Sequence, residues 1–317
     1  MLKFITKRIL VSAVLFLILT FVLFLLLSFL PTYADSDIAK YVMEYGMISP
    51  EHKLEIYAKY GLDQPLGARY FIWLGTLFDG TWSHTYQNTA TAVTEVIGAK
   101  LAPTLSLTVS ALVAAILIAV PLGMFAAMRP GGIADNIASL LTFVGVSIPG
   151  FIVAIFLVFV FAAKLQFLPS MVSAASKYPY AVQMILPVTC VALTMIGPVV
   201  KQVRGSMLDV MNAEYIKTAR SKGISETRVI FRHVFRNSAI PVVAQIGLTM
   251  PMLVGGSVVV EQIFTINGLG RALVNAVNAP ADVPVIMGIV TIQVIVVLAI
   301  NLALDLVYSA LDPRVVY

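Results

Sequence analysis

"ILVSAVLFLILTFVLFLLLSFL", residues Ile9 to Leu30, runs for 22 residues without a charged side chain. About 20 apolar residues suffice for a helix to cross a bilayer, whereas a run of about 10–14 suits a buried core helix. The rest of the chain agrees. Of its 317 residues 59% are hydrophobic and 12% charged, and the mean hydropathy is +0.94. A soluble domain carries about 25% charged residues, so the sequence reads as an integral membrane protein. A secretory signal would share the Lys3, Lys7, Arg8 start, but its apolar part spans only about 7–15 residues and ends in a small-residue cleavage site. "FLPTYADSD" (Phe29–Asp37) offers no Ala-x-Ala site, so the run is read as a retained first helix. The single Cys190 lies in another apolar run, which excludes an internal disulfide and suits a small core residue.

Five further apolar stretches follow, at about Pro103–Met128, Ile137–Ala163, Ala181–Val200, Ile240–Phe264 and Pro284–Tyr308. Lipid supplies no hydrogen-bond partner, so spanning backbone must be helical. The expected architecture is all-α, with six transmembrane helices. Pro121, Pro149, Pro187, Pro198, Pro251 and the Gly255-Gly256 pair predict kinks. With the N-terminus inside, the inner segments hold Lys3, Lys7, Arg8, Arg129, Lys201, Arg204, Lys217, Arg220, Lys222, Arg228, Arg232, Arg236 and Arg314, which is 13 of the 21 cations. This bias places both termini in the cytoplasm. The outer segment 31–102 is too long for a simple turn. Within it "SPEHKLEIYAKYGL" (Ser49–Leu62) predicts a helix capped by Ser49, with Pro50 in its first turn and Gly61 at its end. One soft boundary falls near residue 93. It separates a first helix plus extracytoplasmic insertion (1–93) from a five-helix domain (94–317) with a cytoplasmic loop at 204–239.

That loop contains "EYIKTARSKGISETRVIFRHVFRNSAIP" (Glu214–Pro241), six cations against two acids between apolar runs. Residues Met207–Lys222 lack Pro and Gly and predict one helix, with Gly223 at the C-cap. Lys217, Arg220 and Lys222 fall in its last turns, where the helix dipole favours cations. Ser225 is placed to cap a second helix, with Glu226 in the first turn. Arg228, Arg232 and Arg236 recur every four residues and form one stripe, with Val229, Ile230, Val234 and Phe235 on other faces. Arginines meeting anionic headgroups at about 1 kcal/mol each would explain part of the stripe. They leave unexplained the small Thr218-Ala219 pair beside a glycine turn, a break that lets another protein approach the backbone closely.

"TARSKG" (Thr218–Gly223) with "RHVFRN" (Arg232–Asn237) and the following Pro241 resembles the cytoplasmic coupling motif of ABC-importer permeases, in the form used by the dipeptide/oligopeptide/nickel group. The general motif opens Glu-Ala-Ala, where this chain has Lys217-Thr218-Ala219, as that group does. "YGLDQPLGARYFIWL" (Tyr60–Leu74), "LAPTLSLTVSALVAA" (Leu101–Ala115), "VGVSIPGF" (Val144–Phe151), "VVVEQIFTINGLGRAL" (Val258–Leu273) and "NLALDLVYSALDPR" (Asn301–Arg314) are similar to the first, B-type, of the group's two permease subunits. "LPTYADSD" departs from the Pro-Gly-Asp-Pro usual after the first span. The resemblance implies a type I ABC importer permease fold in a bacterial or archaeal cytoplasmic membrane. It implies a second homologous permease, two ATPase subunits that bind ATP and magnesium, and an extracytoplasmic substrate-binding protein. It also implies that Glu214, Tyr215, Thr218, Ala219, Arg220, Lys222, Gly223, His233, Arg236 and Asn237 form the ATPase-coupling site. The cargo it implies is di- or oligopeptides, with nickel or a metallophore as the alternative. No Gly-Lys dipeptide occurs, so the chain carries no P-loop, and no catalytic residue, metal site or cofactor is expected in it.

Other classes fare worse. An intramembrane hydrolase needs a Ser–His pair or metal ligands at membrane depth, but His52, His84 and His233 all lie outside the expected spans. A channel needs a repeated filter or a charged ring, and neither is visible. "GLGRAL" (Gly268–Leu273) lacks a third glycine and a preceding strand, and is read as a turn. Glu261 and Asp305 lie near opposite span ends, where a local partner explains them as well as function does. Gln183, Thr194, Gln245, Thr249 and Gln293 suit either a substrate path or helix–helix hydrogen bonds, and substrate contacts stay unassigned.

Overall fold

A run of 27 residues with neither Pro nor Gly forms the first helix, α1, Leu2–Ser28. The computed structural model describes residues 2–29, 64–86, 90–278 and 281–311, and the expected helix at Ser49–Leu62 lies outside them. Further on come α2 (Leu66–Thr76), α3 (Val93–Met128), α4 (Ile133–Ser147) and α5 (Gly150–Leu157), the last continuing into a π-helical turn at Val158–Lys164. The short α6 (Tyr180–Gln183) precedes α7 (Ile185–Met211), α8 (Glu214–Ser221) and α9 (Glu226–Arg228). A second π-helical stretch, Val229–Phe235, leads into α10 (Arg236–Ile263), followed by α11 (Leu269–Val277) and α12 (Val283–Leu311). Among the described residues β structure is confined to one isolated bridge between His84 and Ala92.

Among the described residues, four segments are long and apolar enough to cross a membrane: Ile5–Ser28, Val93–Met128, Ile185–Met211 and Val283–Val307. A fifth arises if α4 and α5 with its π turn, bent by 111° at their junction, count as one broken span. The expected run Ile240–Phe264 falls in the 28-residue α10.

Several expectations need correction. Ile137–Ala163 is not one kinked helix, because the chain folds back at Ile148-Pro149. Pro149 pushes Ile148 out of the helical region (φ −99°, ψ 122°) and then opens α5. Pro121, Pro198 and Pro251 lie within continuous helices, so a kink at any of them interrupts no helix. α3 starts at Val93, ten residues before the expected Pro103, and its added turns bury Val93 and Ile97 in the first unit's core. The turn expected at Gly268–Leu273 is confined to its start, since Leu269 already opens α11 behind an extended Gly268.

The described residues form two compact units. The first draws on residues 1–103 and 267–298. Its core centres on Tyr70, ringed edge-on by Phe21 and Phe24 at 5.1 and 5.6 Å. The Tyr70 hydroxyl lies 3.1 Å from Thr20 Oγ1 and donates to the Leu17 carbonyl at 3.3 Å, so the ring's polar tip is satisfied inside an apolar cluster. The buried Asp282 accepts the Tyr86 N–H at 3.0 Å, and Lys100 donates to Asn267.

The second unit draws on residues 104–266 and 299–317. Its axis is α7, whose face from Leu186 to Met207 is largely buried. The closeness of α4 and α7 follows from sequence: Gly197 stands opposite Leu141 and Thr142, and Thr142 Oγ1 donates to the Gly197 carbonyl at 3.2 Å. Behind the Pro149 bend an apolar cavity of about 530 Å³ is lined by Gly150, Cys190, Thr194, Thr249 and Val260 among others. Cys190 is fully buried with its thiol against the Gly150 carbonyl at 3.4 Å, the core role expected of it. The fully buried Glu261 accepts from Thr104 Oγ1 at 2.7 Å.

Candidate coupling surface

α7 stops at Met211 because Ala213 adopts extended backbone (φ −69°, ψ 144°), from which α8 restarts at Glu214. The single helix expected over Met207–Lys222 is therefore two helices. Asn212 and Ala213 carry no Pro or Gly signal, so the break follows packing. Ile216, fully buried, turns α8 onto the core, and Val229 and Val234, also fully buried, hold the following π-helical stretch beneath it.

α8 ends as its sequence predicts. Gly223 takes φ +77°, a left-handed conformation that costs glycine nothing. Its N–H donates to the Arg220 carbonyl at 2.9 Å, and the Ile224 N–H reaches the Ala219 carbonyl at 3.4 Å. That pair of bonds defines a Schellman motif, with Ala219 and Ile224 packed against the core as its usual apolar contact. Ser225 occupies the N-cap of α9 in extended backbone, yet its side chain makes no capping hydrogen bond. Glu226 is instead the residue that matters there. Its carboxylate takes a two-pronged bond from Arg220, Nε to Oε2 at 3.2 Å and Nη2 to Oε1 at 2.7 Å, bridging the glycine turn. The hydrogen bonds it donates to that carboxylate, and then the carboxylate's charge, raise the Arg220 guanidinium above its ordinary value.

The expected site residues fall into three groups. Glu214 pairs with Lys217 at 2.7 Å and accepts, through its carbonyl, the Thr218 hydroxyl at 3.2 Å. Tyr215, His233 and Asn237 come together between α8 and the start of α10: Asn237 Nδ2 donates to the His233 carbonyl at 2.7 Å and to the Tyr215 hydroxyl at 3.4 Å. Arg220, Lys222 and Gly223 stand exposed around the turn, with Ala219 half-buried under them. Arg236 is exposed on α10, in one stripe with Arg228 and Arg232, while Val229, Ile230 and Val234 point inward as expected. Lys222, Arg228, Arg232 and Arg236 form no ion pair among the described residues. Phe231, 59% exposed, and Tyr215, 49% exposed, add aromatic area to this basic surface. Phe231 was invisible to charge-based reading.

Of the polar span residues, Gln183 serves a local role: its amide ties the Ser173 N–H at 2.7 Å to the Tyr178 carbonyl at 2.8 Å. Thr194 and Thr249 line the apolar cavity, each hydroxyl donating to its own helix. Gln245 lines a wider cleft of about 990 Å³ with Lys201, Gln202 and Asp209, and Gln293 is half-buried on α12. Sequence reading also missed Asp135, a buried acid that receives Arg204 at 2.6 Å.

Residues 119–317 match the family of binding-protein-dependent transport system inner membrane components, and residues 1–108 match the N-terminal model of such membrane components. This chain belongs to that family. Among relatives of this permease, the oligopeptide transport system permease protein AppB of Bacillus subtilis is 35% identical over 275 residues, 85% of this chain and 87% of AppB. The "Probable peptide ABC transporter permease protein y4tP" of Sinorhizobium fredii is 30% identical over 260 residues, 81% of this chain and 82% of that protein. An inward-facing structure of the MetNI methionine ABC transporter has a chain of the same fold, with a TM-score of 0.55 at 19% identity, covering 68% of this chain and 96% of that one.

Proposed function

We propose that this permease forms half of the translocation pore of an ATP-driven ABC importer for di- or oligopeptides in the cytoplasmic membrane. A second permease, two ATPases and an extracytoplasmic binding protein complete it. The relatives' peptide-transport names support the cargo. The observation that carries the energy-coupling part is the exposed, basic, glycine-capped α8 turn, already shaped by buried Ile216, Val229 and Val234. In this reading the membrane is crossed six times with both termini inside, by α1, α3, the broken α4–α5 pair, α7, α10 and α12. A soft boundary near residue 93 separates the outer insertion from the five-helix domain. Glu214, Tyr215, Thr218, Ala219, Arg220, Lys222, Gly223, His233, Arg236 and Asn237 meet the ATPase, with Thr218 and the Gly223 backbone at the point of closest approach. ATP binding closes the ATPases, and the docked helices carry that movement into the spans.

The test is reconstitution of the assembled transporter with its binding protein and ATP-dependent uptake of labelled peptides of graded length. Gly223→Pro removes an N–H and demands negative φ where φ is +77°. It is expected to insert normally while losing ATPase co-purification and substrate-stimulated hydrolysis. Normal transport by Gly223→Pro refutes the docking role, and uptake of nickel in place of peptide refutes the cargo.

A further inference from the structure

Asp135 is 7% exposed and stands in the first turn of α4. Its carboxylate accepts three hydrogen bonds: from the Gly131 N–H at 2.8 Å, from Arg204 Nε at 2.6 Å and from Arg204 Nη2 at 3.0 Å. A buried carboxylate is costly unless paired and hydrogen-bonded, and this one is held from two directions. The fork of the guanidinium on the carboxylate fixes orientation as well as distance. Arg204 stands on α7 about two turns before its end at Met211, where the chain passes into α8. Further along the same two helices, backbone meets backbone at Gly197 and Thr142. α4 then ends at the Pro149 bend.

Even a fully buried ion pair is weak evidence for stability, because well-packed apolar residues of similar volume often do as well or better, and here the Arg204 side chain is 35% exposed. What the pair adds to packing is a directional, two-pronged link that opposes sliding or rotation of one helix past the other. Resting on the reading of α8 as the helix that meets the ATPase, we propose that Asp135 and Arg204 are positioning residues that lock α4 to α7. Through them, movement of the coupling surface reaches the bend at Pro149. Without the pair, α8 and α7 move while α4 lags, so the ATPase cycle is uncoupled from the broken span.

The experiment needs no knowledge of the cargo. In the assembled transporter in membranes, Cys190→Ser removes the native thiol, and Ser147→Cys places a reporter at the exposed last residue of α4. N-ethylmaleimide labelling of this chain is timed without nucleotide and with ATP plus vanadate. The parent is expected to change rate by about tenfold, and Asp135→Asn by less than about twofold, within the span that coupling mutations produce. Asp135→Asn keeps the acceptor for Gly131 but loses the charge. Arg204→Lys keeps a charge but loses the fork, and is expected to behave like Asp135→Asn. The double variant should lose no more than either single one. A parent that does not respond, a variant that responds like the parent, or additive losses overturns the lock. A response lost only in step with ATPase co-purification also overturns it, by reducing the pair to assembly. If Asp135→Asn does not assemble, Arg204→Lys decides alone. Peptide uptake by the parent is measured separately, and its absence counts against the peptide reading rather than against the lock.

Discussion

Two glycines eight residues apart on α7 make a paired prediction in which one substitution has opposite effects. At Gly197 an added Cβ would lie 2.9 Å from Thr142 Cα and 3.2 Å from the Leu141 and Thr142 carbonyl oxygens. Non-bonded carbons meet at about 3.5–4.0 Å, so Gly197→Ala must part α4 from α7 by at least about 0.6 Å, and backbone cannot rotate out of the way. Parting them also stretches the 3.2 Å bond from Thr142 Oγ1 to the Gly197 carbonyl. Overpacking of this kind costs about 1–3 kcal/mol, and a helical alanine returns about 1 kcal/mol of helix propensity. A net loss of about 0–2 kcal/mol remains by these two principles. At Gly205 nothing lies within 4 Å of the added Cβ, so Gly205→Ala keeps only the gain. The assay is unfolding of the purified chain in mixed detergent–SDS micelles, followed by far-ultraviolet circular dichroism. Gly205→Ala should unfold later than wild type and Gly197→Ala earlier. If Gly197→Ala is the more stable of the two, the close approach of α4 and α7 does not exist as described.

Three further outcomes are expected. In a Cys190→Ser background, a membrane-impermeant maleimide applied to intact cells should label Phe78→Cys, whose site is 88% exposed, and not Ser225→Cys; the reverse pattern inverts the topology. The Asp79 carboxylate is held below its ordinary 3.8, chiefly by the Thr81 hydroxyl and then by the Thr81 N–H. Its folded value is depressed, so its contribution to the turn is present above pH 3.8 and fades as pH falls through the folded value. Amide exchange at Thr81–Ser83 should therefore be faster in Asp79→Asn than in wild type near neutrality, and the two should converge at acid pH. Gly223→Ala meets no neighbour within 4 Å and suffers only the strain of φ +77°. About 1–2 kcal/mol of left-handed strain should weaken ATPase co-purification without abolishing it, and indifference would show that the turn's backbone is not read.

How far the fold was legible tracks how local its causes are. Run length and charge announced α1, α3, α7 and α12, since burial of backbone in lipid leaves helix as the only answer. The Gly223 cap was legible for the same reason: a left-handed residue can be specified by one position. The 111° bend was only half legible. Pro149 signalled a kink, but Pro121 and Pro198 signal equally and are carried within continuous helices, because what decides is whether neighbouring helices supply the missing support. The break at Asn212-Ala213 had no local signal, being set by burial of Ile216. Asp135 with Arg204 was illegible for a further reason. Their separation of 69 residues leaves nothing in the sequence to join an acid to one cation among 21.

The coupling surface follows from that division of labour. Its charges do not build it: Glu214–Lys217 and Arg220–Glu226 are exposed pairs, and such pairs contribute about 0–1 kcal/mol each and less in salt. Its shape comes from below, where three fully buried apolar residues, Ile216, Val229 and Val234, fasten α8 and the π-helical stretch to the core. A surface fixed from beneath loses little freedom when a partner docks, and preorganisation of this kind lowers the cost of association. In the proposed docking, the cations above are left to meet the partner. Lys222 beside the turn and Arg228, Arg232 and Arg236 along the stripe remain outside any ion pair among the described residues. Neutralising one of them should change affinity and salt dependence while leaving the fold's stability where it was, whereas Ile216→Ala, by cutting the fastening and opening a cavity at about 2–5 kcal/mol, should lose docking and stability together. The same loss from both substitutions would mean that charge, not burial, holds α8 in place.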